Sequence, residues 1–116
     1  MALQFQRGAI LWVDRVPDRS GGDPKSRPVV ILSELNDTVP TVVGVAITTR
    51  FDQDLEPISV KLAYKRSGGC KTGLKEPSIA LCDWIVPVTA NQVTGKSGYV
   101  SSVVLKQIIE IVESLG

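Results

Sequence analysis

Two short segments hold the side chains best suited to grip a phosphate. "KSRPVVIL" (Lys25–Leu32) places Lys25, Ser26 and Arg27 ahead of a proline and four apolar residues. "AITTR" (Ala46–Arg50) ends another apolar run on Thr48, Thr49 and Arg50. If the two runs are antiparallel neighbours, the start of one lies beside the end of the other. Arg27 then meets Thr48, Thr49 or Arg50. A guanidinium offers a rigid fork of donors, and a neighbouring hydroxyl can orient a phosphate oxygen. The competing expectation is that Arg27 pairs with a loop carboxylate such as Asp23.

Other candidates are weaker. Histidine, the usual proton carrier near neutral pH, is absent from the chain. The only cysteines, Cys70 and Cys82, show no metal-ligand spacing and read as reduced structural thiols, so no metal or cofactor is expected. "ANQVTGKS" (Ala90–Ser97) resembles a phosphate-binding P-loop, but Gly98, Tyr99 and Val100 follow where a helix would have to start. It is expected to be a polar turn. Lys61, Lys65, Arg66, Lys71 and Lys75 form a stretch without acids that could track a phosphate backbone or simply face solvent. Trp12 and Trp84 lie in apolar runs and are read as core, which leaves Tyr64 as the better exposed aromatic.

These residues need a scaffold. "AILWV" (Ala9–Val13), "RPVVIL" (Arg27–Leu32), "TVVGVAITT" (Thr41–Thr49) and "PISVKLA" (Pro57–Ala63) read as strands. Pro28 should mark a strand start or an edge, and Gly44 a bulge or close backbone approach. "SIALCDWIVPVT" (Ser78–Thr89) reads as one or two strands, with Pro87 arguing against a continuous central one. "DRVPDRSGGDPKS" (Asp14–Ser26) and "YKRSGGCKTGLKEPS" (Tyr64–Ser78) read as loops. Val104, Leu105, Ile108, Ile109, Val112 and Leu115 recur at helical spacing, capped by Ser101 or Ser102 and ended by Gly116. The sum is a mainly β domain spanning residues 1–116, a small antiparallel sheet or barrel with one C-terminal helix.

The totals allow this. A chain of 116 residues can bury about two-thirds of its unfolded surface in a single core. Its formal charge is +1, which neither announces nor excludes a nucleic-acid partner. No apolar run approaches the roughly 20 residues of a spanning helix, and "MALQFQRG" lacks the apolar middle of a signal peptide. A cytoplasmic protein without membrane contact is expected.

The order "RGAILWVD" (Arg7–Asp14), a glycine-containing loop, "RPVVIL" and "VVGVAITT" (Val42–Thr49) resembles the MazF/PemK/Kid toxins of bacterial toxin–antitoxin modules. The likeness continues more loosely through "IALCDWIVPVTANQVTGKSG" (Ile79–Gly98) and the closing helix. It implies the SH3-like barrel shared by MazF- and CcdB-type toxins, and a homodimer. It also implies an endoribonuclease that cuts single-stranded RNA without a metal and is inhibited by a cognate antitoxin. The family's R-P arginine falls on Arg27 and its I-T threonine on Thr48. The aspartate that follows a cysteine in some relatives falls on Asp83. Those relatives also carry an arginine two residues earlier, where Leu81 stands here, and a first-loop histidine, which this chain lacks. The resemblance thus makes Arg27, Thr48 and Asp83 the catalytic candidates; by charge and place, Lys25, Ser26, Thr49, Arg50, Lys65 and Arg66 are the candidates to bind the RNA. Two other roles fit the same fold: a gyrase-binding toxin, and an inactive antitoxin-binding module.

Overall fold

The computed structural model describes residues 6–18, 21–33, 41–49 and 58–115. Six strands and one helix follow in the order β1 (Ala9–Val16), β2 (Lys25–Ile31), β3 (Thr41–Thr48), β4 (Ser59–Leu62), β5 (Ser78–Thr89), β6 (Val93–Tyr99) and α1 (Ser102–Leu115). The strands form one sheet in the order β4-β5-β3-β2-β1-β6, and all the pairings are antiparallel.

The sheet is buried on both faces. One face collects Leu11, Val13, Val29, Ile31, Val42, Ala46, Leu81, Trp84 and Val86. The other collects Ile10, Val30, Val45, Ile47, Ala80 and Cys82, with Leu74 from the long loop and Ile108 from α1 laid over them. The first face has no covering helix, so the sheet curls round itself. Three strand spacings separate β5 from β1, roughly 14 Å if the sheet were flat. Yet the Trp84 indole Nε1 donates to the Pro17 carbonyl just past β1, at 3.2 Å. The ladder stays open, with β4 and β6 at its edges, so the barrel is wrapped rather than sealed.

Proline and glycine act where the chain meets its tightest demands. β5 runs unbroken through Pro87, against the expectation of a break. Pro87 lies opposite Val43, whose carbonyl accepts from Leu32 on the far side. The Pro87 nitrogen therefore faces away from β3. Its other neighbour, β4, pairs only with Ser78–Leu81, so no ladder bond is lost there. At Gly44 a Cβ would stand 2.4 Å from Val29 Cγ1 and 2.7 Å from the Val30 carbonyl oxygen, which makes this a close approach of β3 to β2.

Several sequence expectations need correction. The first strand reaches Val16 and the second begins at Lys25, so the loop between them is shorter than the composition of residues 14–26 suggests. Pro28 sits three residues inside β2 rather than at its start. "VTGKSGY" is a full strand, β6, and the P-loop-like segment is a single 3-10 turn (Ala90–Gln92) running into it. No helix starts at Lys96. α1 matches its periodicity, with the Val104 N–H donating to Ser101 Oγ at 3.2 Å as the cap. Gly116, its expected end, lies outside the described residues. No helix among the described residues is long and apolar enough to cross a membrane.

Candidate active site

The site is built where β2 and β3 part. Their ladder runs Ile31↔Gly44, Val30↔Val45, Val29↔Ala46 and then stops. Two residues further in that register, Arg27 falls opposite Thr48. Alternation along β2 turns the Pro28 nitrogen toward β3, where an N–H would have continued the ladder. Between the parted strands lies a cavity of about 600 Å³ lined by Ser26, Arg27, Thr48, Thr49, Trp12 and Lys75, among others.

A bulge helps to set Arg27. Val13 pairs with Arg27 and Val16 with Lys25, so β1 carries an extra residue across that interval. Arg15 takes φ 59° there, the one non-glycine residue in the left-handed region among those described. The Arg27 side chain is 18% exposed. Its Nη2 donates to Asp18 Oδ1 at 3.2 Å, and its guanidinium carbon stands 4.9 Å from the centre of the Trp84 ring. The loop carboxylate on Arg27 is thus Asp18, not Asp23. Arg27 Nε is buried without a hydrogen-bond partner among the described residues. A buried donor left unmade costs about 1–3 kcal/mol, which a bound anion would return.

Of the residues singled out from sequence, Arg27, Thr48, Ser26 and Thr49 share the cavity wall. Lys25, Lys65 and Arg66 are exposed and stand off it. Arg50 lies outside the described residues. Asp83 is also off the wall. Register shifts between Val45↔Ile85 and Ile47↔Ala80, so the β5 residues 81–84 stand opposite Ala46 alone. In that bulge Asp83 faces outward while Trp84 turns into the core. Of the basic stretch, Lys75 reaches the cavity, beside Glu76.

Trp12 corrects the core reading. It is 41% exposed and lines the cavity. Ala9, Leu11 and Val13 point into the curled face, so Trp12 points out of it, across from Pro28. That alternation was the available signal. Tyr64 is exposed as expected.

The far wall is a stapled loop. Thr72 Oγ1 donates to the Ala63 carbonyl at 2.8 Å and accepts from Leu74 N–H at 3.2 Å. Ser97 Oγ donates to the Thr72 carbonyl, and Tyr99 N–H to the Lys71 carbonyl, both at 2.8 Å. These bonds tie residues 71–74 to β6 and bring Gly73, Leu74 and Ser97 to the cavity.

The two thiols are free and differ in character. Cys70 Sγ lies 3.5 Å from Thr72 Oγ1, and that contact, with nearby backbone amides, lowers its pKa. Burial, with Asp83 adding repulsion, pushes the Cys82 thiol up to about 11 from an ordinary 9.0. Raised in the fold, Cys82 leaves stability intact below pH 9 and withdraws it as pH climbs towards 11, by about 2–3 kcal/mol in total. Cys70 is expected to react with iodoacetamide in the native protein and Cys82 only after unfolding. Mass spectrometry of the labelled protein checks this, and equal labelling of both would refute it. Among the described residues, no group of three or more His, Cys, Asp or Glu side chains is placed to hold a metal.

The same architecture occurs in solved toxins. MazF from Deinococcus radiodurans superposes with a TM-score of 0.72 at 16% identity, over 97% of this chain and 96% of that one. An endoribonuclease in complex with its cognate antitoxin, from a Mycobacterial species, gives 0.64 at 19% identity, over 95% of this chain and 92% of that one. The Mycobacterium tuberculosis toxin MazF-mt6 gives 0.59 at 20% identity, over 91% and 93%. At such identities the likeness establishes the fold. A sequence comparison with curated proteins finds no match. A family model, however, matches residues 6–115, nearly the whole length. The chain belongs to the PemK-like, MazF-like toxins of type II toxin–antitoxin systems.

Proposed function

We propose that the chain is a metal-independent endoribonuclease that cuts single-stranded RNA, acting as a homodimer in the cytoplasm and neutralised by a cognate antitoxin. One observation carries this reading: Arg27 and Thr48 line one cavity, at the gap where a phosphate-gripping pair requires them. Membership of the toxin family, and the antitoxin complexes formed by proteins of this fold, support it.

The reaction is intramolecular transesterification. The 2′-oxygen of the upstream ribose bonds to phosphorus, and the bond from phosphorus to the 5′-oxygen breaks. Arg27 stabilises the charge on the phosphorane oxygens, since a guanidinium cannot serve as a base. Thr48, 6% exposed, fixes the 2′-OH or a phosphate oxygen for in-line attack. The 2′-OH proton passes to Glu76, the carboxylate on the cavity wall, in the role the sequence suggested for Asp83. The departing 5′-oxygen takes a proton from water. Trp12 offers its exposed face to a base beside the scissile bond. Lys25, Lys65 and Arg66 meet the phosphates further along the strand.

Incubation with a long single-stranded RNA in EDTA is expected to yield 5′-OH ends and 2′,3′-cyclic phosphates, and to leave the matching DNA intact. Thr48→Ala should slow cutting about 10- to 100-fold. Loss of wild-type activity in EDTA would sink the metal-free mechanism. Growth arrest on expression, with intact RNA but altered DNA topology, would move the chain to the gyrase-binding class.

A further inference from the structure

We infer that Asp18 is a positioning residue, which together with Trp84 holds the Arg27 guanidinium in its working orientation. This rests on the proposed ribonuclease reading and adds Asp18 and Trp84 to the residues that carry it.

Three segments converge on one side chain. Arg27 comes from β2, Asp18 from the loop after β1, and Trp84 from the β5 bulge. The guanidinium lies by the Trp84 ring at 4.9 Å and donates through Nη2 to Asp18 Oδ1 at 3.2 Å. The same Trp84 donates from Nε1 to the Pro17 carbonyl, so the ring that supports Arg27 also pins the residue before Asp18. The Asp18 carbonyl accepts from Gly21 N–H at 2.9 Å, which anchors the backbone that carries the carboxylate. Gly22 packs under it, where a Cβ would stand 3.4 Å from Asp18 Cβ.

An ion pair built for stability would use two parallel donors. Nη2 is the donor that meets Asp18, and Nε is buried without a hydrogen-bond partner among the described residues. The carboxylate therefore fixes one end of the fork and leaves other N–H groups for a phosphate. Held on a ring and at one corner, a long flexible side chain has few conformers left to lose when the phosphorane forms. Trp84 adds a cation–π contact whose strength depends on that geometry.

The test is steady-state cleavage of single-stranded RNA by wild type, Asp18→Ala and Asp18→Asn. Asp18→Ala is expected to lower kcat about 10- to 100-fold with KM within about twofold, because only the oriented transition state is lost. Asp18→Asn keeps an acceptor oxygen and should recover most of the loss. Both variants should melt near wild type, since the Asp18 side chain is 30% exposed. Unchanged cutting by Asp18→Ala would overturn the proposal. So would faster cutting or a lower KM in both variants, which would make Asp18 a competitor of the phosphate. A second measurement separates this from failure of the ribonuclease reading itself. The NMR signal of the Arg27 Nε–H, shifted by the Trp84 ring in wild type, should move towards the free-arginine position in Asp18→Ala. If wild type cuts no RNA but that shift occurs, Asp18 still orders Arg27 and the ribonuclease reading alone fails. If the signal does not move, the positioning role fails.

Discussion

Replacing Arg27 with alanine is expected to slow RNA cleavage roughly 10²–10³-fold, the usual cost of removing one preorganised donor from a developing oxyanion. The loss should be catalytic rather than structural. Arg27 contributes a single-donor pair to a part-exposed carboxylate and one buried donor left unmade, so its net share of stability is small. Arg27→Ala is therefore expected to melt within a few degrees of wild type. Arg27→Lys keeps the charge but loses the planar fork, and cannot reach phosphate and Asp18 with the same spacing. It should recover only a minor part of the rate. Single-turnover cleavage of a short labelled RNA separates these cases from changes in binding. Cutting at the wild-type rate by Arg27→Ala would remove Arg27 from the mechanism.

That Arg27 and Thr48 face one cavity was legible because antiparallel strands obey a simple rule: the mouth of one lies at the end of the next. The apolar runs announced where each strand lies, though β1 runs on to Val16 and β2 starts before its proline, at Lys25. α1 was legible from its apolar period, and Gly44 from its place inside an otherwise apolar strand. What was hidden depended on contacts between distant segments. β6 has no apolar alternation, because it is an edge strand held by β1 on one side and the 71–74 loop on part of the other. Asp18 and Asp23 are equivalent carboxylates on paper, and the backbone bond from Gly21 to Asp18 and the Trp84 bond to Pro17 place Asp18. The sequence motif placed Asp83 near the chemistry, but the bulge across from Ala46 turned it outward and sent Trp84 inward. Trp12 looked like core because its neighbours are apolar. Its face was set by strand alternation, and its exposure by a cavity that exists only because β2 and β3 separate.

That cavity also depends on a wall far from Arg27, and here the largest effect on stability is expected. Gly73 has φ +73°, and a Cβ on it would stand 2.0 Å from the Ser97 carbonyl oxygen and 2.8 Å from Ser97 Oγ. An alanine there carries the left-handed penalty of roughly 1–2 kcal/mol. It must also push the loop off β6, and overpacking of this kind costs about 1–3 kcal/mol more. The neighbours cannot easily yield. Gly98 is already so close that its own Cβ would meet the Lys71 carbonyl oxygen at 2.1 Å, and Ser97 and Tyr99 hold that same backbone by hydrogen bonds. Gly73→Ala is therefore expected to lower Tm by about 8–20 °C, taking roughly 4 °C per kcal/mol for a domain of this size. If the loop moves instead, Gly73 and Leu74 leave the cavity and Lys75 moves with them. The variant would then show a raised KM for RNA with Arg27 and Thr48 untouched. Calorimetry together with KM distinguishes the two responses. A Tm and KM both equal to wild type would mean that β6 does not close the site in solution.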